Sequence, residues 1–246
     1  MGFIVSFTEN KPYYCPIPLA WLALYPLINE FIYNIFCCLV EPTEYNIIPS
    51  SRLVYHPNYN ITFCGIEKLH PFDSQKYGNV FRRLVDYNII SAKTVIKPNI
   101  IPRKLLLEKM SPCYLLKMNY SIPLCNYIEM PLCFIPAFLL RWRVLNPMLL
   151  ATEGTILAAA AAVKLKWAIN LAGGYHHASC TNGGGFCIYP DITLAVHYLQ
   201  TRLSIKRVMI IDLDAHQGNG HERDHLNRED IFIVDAYNHS IYPGDE

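Results

Sequence analysis

The sequence predicts an α/β fold, a parallel sheet flanked by helices, and two observations carry that reading. Trp167–Leu171 and Val208–Ile211 are short apolar runs with the length and branched residues of buried strands. Between them, Asp191–Leu203 sets Ile192, Ala195, Val196, Leu199 and Leu203 at helical spacing on one apolar face. Strand, loop, helix, strand is the order of a right-handed crossover between parallel strands. In such sheets, sites form outside the carboxyl ends of the strands. Both runs end there in polar side chains: Gly173-Gly174-Tyr175-His176-His177 after the first, Asp212-Leu213-Asp214-Ala215-His216 after the second.

A chain of 246 residues can bury one sizeable core, so residues 51–246 are expected to form one domain behind an apolar extension over 1–50. From Pro12 to Val40 the only charge is Glu30, but Pro16, Pro18 and Pro26 crowd a run that would need about 20 apolar residues to cross a membrane. Three readings stand for it: a membrane anchor through 13–40, an apolar segment packed on the domain, or sequence outside the folded protein. No basic stretch precedes the run, which argues against a secretory signal. The net charge of +1 provides no field for nucleic acid or an anionic membrane, so direct nucleic-acid binding is not expected. Nine scattered cysteines without a C-x-x-C point to reduced thiols in an intracellular protein, nuclear or cytoplasmic.

Val54-Tyr55 reads as a short strand, because the residue before a proline (His56 before Pro57) is pushed towards extended backbone. Ser74–Tyr87 reads as a helix with Tyr77, Val80, Phe81, Leu84 and Val85 on one face. His56 and His70 stand beside prolines and read as structural hydrogen-bonding groups. Prolines from 98 to 147 are expected to forbid long uninterrupted helices, leaving Ile122–Leu140 as broken buried structure. Gly154–Val163 is a strong helix former, small enough for close packing on a sheet. His221–Leu226 reads as a short helix and Ile231–Val234 as a third strand ending at Asp235, which leaves an open sheet edge.

Along an extended strand end, residues two apart face one side, so Asp212, Asp214 and His216 are expected to form a row. Carboxylate oxygen and imidazole nitrogen are ordinary zinc ligands, although a hydrogen-bonded cluster at a strand end fits D-x-D-x-H as well. His176 and His177 suit proton transfer at neutral pH, and Gly183-Gly184-Gly185 lets backbone approach a ligand closely. The combination points to metal-assisted hydrolysis. His221-Glu222-Arg223-Asp224-His225 also matches H-E-x-x-H, the zinc-protease helix. The other reading of that stretch is a solvated helix start.

At GGYHHASCTNGGGFCIYPDITLA, IIDLDAHQGNGHERD and VDAYNHSIYPGD the sequence resembles the zinc-dependent histone deacetylases, most closely class IV. YHPNYNITFCGIEKLHPFD, FIPAFLLRWRVL and EGTILAA are similar too, whereas residues 1–50 and 91–130 match poorly. The resemblance implies an arginase/deacetylase-like fold and removal of acyl groups from lysine side chains of histone tails or other proteins. It places Asp214 and His216 as two zinc ligands, and His177 as the base that activates water and then protonates the leaving amine. His176 becomes its charge-stabilising partner, bonded to Asp212, and Asn219 stands behind the second histidine. Gly185 takes the substrate amide, Phe186 and Tyr242 wall the acyl-lysine channel, and Asp212 and Asp235, with Asp214, belong to a potassium site. Long-chain acyl groups are among the substrates class IV suggests.

The resemblance also places a third zinc ligand, an aspartate, and a carbonyl-polarising tyrosine in blocks beyond Glu246. By that reading the chain is a C-terminally truncated deacetylase domain, and a catalytically silent fragment that at most binds partners is the alternative. A metalloprotease using H-E-x-x-H and a membrane-anchored protein are the remaining readings.

Overall fold

Two parallel strand pairs frame the described residues, 51–244, of this computed structural model. Residues 1–50, with the anchor reading of 13–40, lie outside them. Strand β1 (Leu53–Val54) pairs with β2 (Ile169–Asn170). Strand β3 (Val208–Asp212) pairs with β4 (Ile231–Asp235), with Asp212 opposite Asp235. The expected crossover does not make β2 and β3 hydrogen-bonded neighbours.

Nor are the strands buried on both faces. Met209 and Ile211 are 59% and 61% exposed, while Ile210 between them is 8% exposed. Alternation along the strand explains this: Ile210, Ile231 and Ile233 share a cluster with a helix, and Met209, Ile211, Phe232 and Val234 take the other side. Ile169 is half-exposed on a strand only two residues long, and Trp167, half-exposed too, lies before that strand begins.

Helix α1 (Lys76–Asp86) begins two residues later than its apolar spacing suggests. Ser74 is held as a loop residue, its hydroxyl donating to the Ile61 carbonyl at 2.9 Å, and Asp73 accepts the Gln75 amide. Phe81 stacks on Tyr55 at 3.9 Å, which seats α1 against the end of β1. His56 and His70 accept the amides of Asn58 and Phe72 through Nδ1, the local structural role expected of them.

Short helices α2 (Arg103–Leu107), α3 (Pro112–Lys117) and α4 (Ser121–Tyr127) follow, as the proline spacing requires. The expectation fails at Pro147. Helix α5 (Ala137–Leu140), a π segment (Arg141–Leu145) and α6 (Asn146–Leu165) make one continuous run of 29 residues. Proline lacks the amide that an α-turn would use. The π segment just before it widens the helix, the Asn146 amide reaching back five residues to the Arg141 carbonyl. Among the described residues this is the one helix long and apolar enough to cross a membrane, yet 67% of its most apolar window is buried. It is the core helix: Ala151, Ala158, Ala160 and Ala161 are buried and let α6 lie close to β1, β2 and the next helix.

That helix, α7 (Asp191–Arg202), joins the two halves. Leu194 and Ala195 belong to the main core, and Val196, next in sequence, packs with Ile210 of β3 and Ile231 of β4. Helix α8 (Asn219–His225) packs on α7, where Thr193 donates to Asp224 at 2.8 Å and the Cys180 amide donates to the same carboxylate at 2.9 Å. It is no solvated helix start: His221 and His225 are 1% and 5% exposed.

Neither ring nitrogen of His225 has a hydrogen-bond partner. Burial pulls its pKa down to about 4, against the attraction of Asp224 and with the help of Arg228, His221 and Lys109. The folded chain therefore keeps this ring neutral down to about pH 4, whereas the unfolded chain protonates it near its ordinary value of 6.5. Its contribution to stability is whole above that ordinary value and is lost as pH falls towards the folded one, by at most about 1.4 kcal/mol per pH unit. Urea unfolding at neutral and mildly acidic pH is expected to show a shallower acid loss in His225→Phe than in the parent chain. Equal acid losses in the two proteins would contradict this account.

Candidate active site

The site begins with a carboxylate that touches no solvent. Asp191, the first residue of α7, accepts the Gly174 amide at 2.7 Å, the Tyr175 amide at 2.8 Å and the Thr155 hydroxyl of α6 at 2.6 Å. Burial pushes its carboxyl pKa up, opposed by those bonds and by the Ile192 amide. Gly173 and Gly174 have φ of +82° and +71°, the left-handed region that disfavours side chains. A Cβ on Gly173 would stand 2.3 Å from Thr155 Oγ1 and 2.5 Å from Asp191 Oδ2. The chain leaves β2 through this turn and delivers Tyr175, His176 and His177 to a fixed place.

The two histidines then meet different partners. His176 Nδ1 lies 2.8 Å from Asp212 Oδ2, and His177 Nδ1 lies 3.0 Å from Asn219 Oδ1. Burial lowers the His176 pKa, but the hydrogen bond and charge of Asp212, with Asp214 and Asp235 beyond, outweigh it and leave it raised. Burial also lowers His177, and the positive charge of His176 adds to that, so the second ring stays below its ordinary value despite its bond to Asn219. Their ring centroids are 4.1 Å apart. The Gly220 amide of α8 donates to the His176 carbonyl at 2.8 Å, tying the helix that carries Asn219 to the same loop.

Asp212 is shared. Its Oδ2 also lies 2.9 Å from His221 Nε2, and its Oδ1 accepts the Asp214 amide at 3.0 Å. Burial raises its carboxyl, but the two imidazoles outweigh that and hold it well below the usual range. Beyond Asp212 the strand has ended, and the expected row breaks. Asp212 turns inward, whereas Asp214 and His216 are half-exposed, with Asp214 Oδ1 accepting the His216 amide at 2.9 Å and lying 3.0 Å from His216 Nδ1. Each aspartate accepts the amide two residues on, a turn that side-chain carboxylates favour over continued strand. His216 still faces the tandem pair, its ring centroid 5.9 Å from that of His177.

Tyr242 completes the mouth, edge-on to His177 at 4.9 Å and to His216 at 6.1 Å. Gly185 lies so close that a Cβ there would stand 2.4 Å from His177 Cδ2. Phe186 turns its ring to His70 and Phe72, both at 4.9 Å, where it lines a narrow apolar pocket with Ile61, Met130 and Leu132. Asp235 accepts the Gly218 amide at 2.7 Å through Oδ2, and its buried Oδ1 has no hydrogen-bond partner.

Of the residues singled out from the sequence, His176, His177, Asp214, His216, Gly185 and Tyr242 meet at this mouth, Asp212 and Asn219 stand behind the tandem histidines, Asp235 lies inward beside Asp212, and Phe186 turns its ring to His70 and Phe72. Sequence reasoning missed Asp191, which stood only as a helix start, and misjudged His221. The H-E-x-x-H spacing drew attention to that histidine, but its ligands are different ones. His221 converges with Asp212 and Asp235 within 4.8 Å, His225 is outside that group, and Glu222 accepts from Gln217 at 2.7 Å. The protease arrangement is absent.

A protein-family model described as a histone deacetylase domain matches residues 70–246. The chain is 45% identical over 201 residues to a protein named histone deacetylase 2 of Arabidopsis thaliana, covering 80% of this chain and 52% of that protein. It is 33% identical over 170 residues to an uncharacterised protein of Picosynechococcus sp., covering 68% and 53%. The chain thus spans about half the length of the curated relatives it matches. Among solved structures, the HDA15 HD domain superposes with a TM-score of 0.63 at 18% identity, covering 80% of this chain and 56% of that one, a likeness of fold.

Asp191→Ala leaves the Gly174 amide and the buried Tyr175 amide without their acceptor, and the Thr155 hydroxyl with only the Ala151 carbonyl at 3.3 Å. It is expected to lower the unfolding free energy by roughly 2–5 kcal/mol, read from denaturant melts. A loss below about 1 kcal/mol would show that the loop is held by something else.

Proposed function

This chain belongs to the histone deacetylase family, and on that premise we propose that its site hydrolyses acyl groups from lysine side chains of histones or other proteins. The single observation that supports this most is the division of labour between His176 and His177, two adjacent imidazoles whose pKa values are pushed apart. Such a pair separates a group that takes a proton from a group that holds charge.

An amide oxygen only accepts, so with Asn219 Oδ1 opposite it, His177 Nδ1 carries the hydrogen and Nε2 keeps its lone pair. Neutral and beside the mouth, Nε2 takes a proton from the attacking water and returns it to the departing lysine amine. The Asp212 carboxylate favours the protonated form of His176, and in that form Nε2 donates to the negative charge that develops on the acyl oxygen. Gly185 receives the substrate amide, and Tyr242 and Phe186 wall the acyl-lysine channel.

Asp214 Oδ1 and His216 Nδ1, 3.0 Å apart at the mouth, are donors of the type zinc takes and fit two of the three protein positions of a catalytic zinc site. Bound there, zinc would supply Lewis acidity towards water and the acyl carbonyl. The buried Asp235 Oδ1 beside Asp212 supports a second cation site, with potassium the ion suggested by the family resemblance. The class IV reading is supported by the H-Q-G-N-G-H-E-R-D run. The described cysteines are free, which fits a nuclear or cytoplasmic setting.

The test is zinc content per chain measured together with acyl-lysine release. Near-stoichiometric zinc is expected. Turnover is expected to fall by about 10²–10⁴ in His177→Ala with zinc retained, and zinc to be lost in His216→Ala. A zinc-free, well-folded parent chain, or undiminished turnover in His177→Ala, would overturn the proposal.

A further inference from the structure

Gly185 and Phe186 are consecutive residues in the left-handed region, φ +54° and +61°. A bulky side chain does not hold that backbone unaided, so something must fix it. Besides the local turn that pairs Gly184 with Cys187, two fixing contacts come from one place. The Gly185 amide donates to Glu129 Oε1 at 3.1 Å, and the Phe186 amide donates to the Tyr127 carbonyl at 3.0 Å.

We propose that Tyr127–Glu129 is a clamp on the channel wall, with Glu129 as the positioning residue that sets the backbone of Gly185 beside His177. The functional half of this inference rests on the deacylase reading. In a trans peptide the N–H and C=O of one unit point opposite ways. Because the Phe186 N–H points at Tyr127, the Gly185 carbonyl of the same unit points away from the clamp. There it accepts a weak bond from Cys187 Sγ at 3.5 Å and keeps a second lone pair for a substrate amide. Glu129 fixes the preceding peptide unit, whose Gly184 carbonyl is taken by the Cys187 amide at 2.8 Å. Both planes flanking Gly185 are thereby set from outside the channel.

The clamp has a firm base and one exchangeable part. Ile128 and Met130 are buried, and the backbone amides of both are satisfied by α4 carbonyls, Leu124 and Cys125. Glu129 between them is exposed, at φ +54°, and adds no apolar burial. Its removal therefore releases Gly185 without hollowing the core.

Amide hydrogen exchange across residues 183–187 and steady-state acetyl-lysine kinetics, both on the full chain, test this with Glu129→Ala and Glu129→Gln. Glu129→Ala is expected to speed exchange at Gly185 at least tenfold while α6 amides keep their rates, and to raise KM several-fold with a smaller change in kcat. Glu129→Gln, which keeps a side-chain oxygen acceptor, is expected to restore most of both. Unchanged exchange in Glu129→Ala, faster exchange throughout α6, or failure of Glu129→Gln to slow Gly185 exchange would each overturn the clamp. If the parent chain shows no turnover, the deacylase reading fails, and the exchange result alone decides the clamp.

Discussion

One buried carboxylate sets the geometry on which the site depends. Asp191 sits without solvent at the first turn of α7 and gathers a hydroxyl from α6 and two amides from the loop after β2. An isolated carboxylate there would be costly to bury. Three charge-assisted hydrogen bonds and the amino end of α7 offset that cost. The loop is therefore bound to two helices at once, and Gly173 passes so close to the carboxylate that a side chain would not fit. The imidazole positions follow from it, because His176 and His177 come directly after the anchored Tyr175.

From that loop the electrostatics run outwards in a chain. Asp212 holds His176 and His221 together, the charge on His176 disfavours a second charge on His177, and Asn219 gives His177 a neutral acceptor in place of a carboxylate. Adjacent residues of one type thus acquire opposite tendencies from their partners, and neither tendency resides in the histidine itself. Asp214 and His216, a step further out and half-exposed, bond to each other, and Asp214 Oδ1 also stands 3.9 Å from His176 Nε2.

The parts that were legible in the sequence are those set by local pattern. Helix α7 follows the apolar spacing from Asp191, the strand ends at Asp212 and Asp235 coincide with the change from branched apolar to polar residues, and the tandem histidines reach the predicted mouth. What was not legible depends on tertiary partners. Asp191 looks like an ordinary acidic helix start until Gly174 and Thr155 are seen to converge on it. His221 looks solvated on a charged helix, but the helix turns it onto Asp212. Strand alternation predicts a row of Asp212, Asp214 and His216, and it fails because the aspartates close turns onto the following amides. Pro147 breaks no helix, since a π segment absorbs the missing donor.

The central claim is that partners, not position, make His176 the charged ring and His177 the neutral one with its hydrogen on Nδ1. Nitrogen-15 NMR of the imidazoles in the full chain at about pH 6.5, the ordinary histidine midpoint, reads this directly. The account predicts both nitrogens of His176 mainly protonated, and in His177 a protonated Nδ1 beside an unprotonated Nε2. A His177 ring protonated on both nitrogens, or carrying its single hydrogen on Nε2, would contradict it.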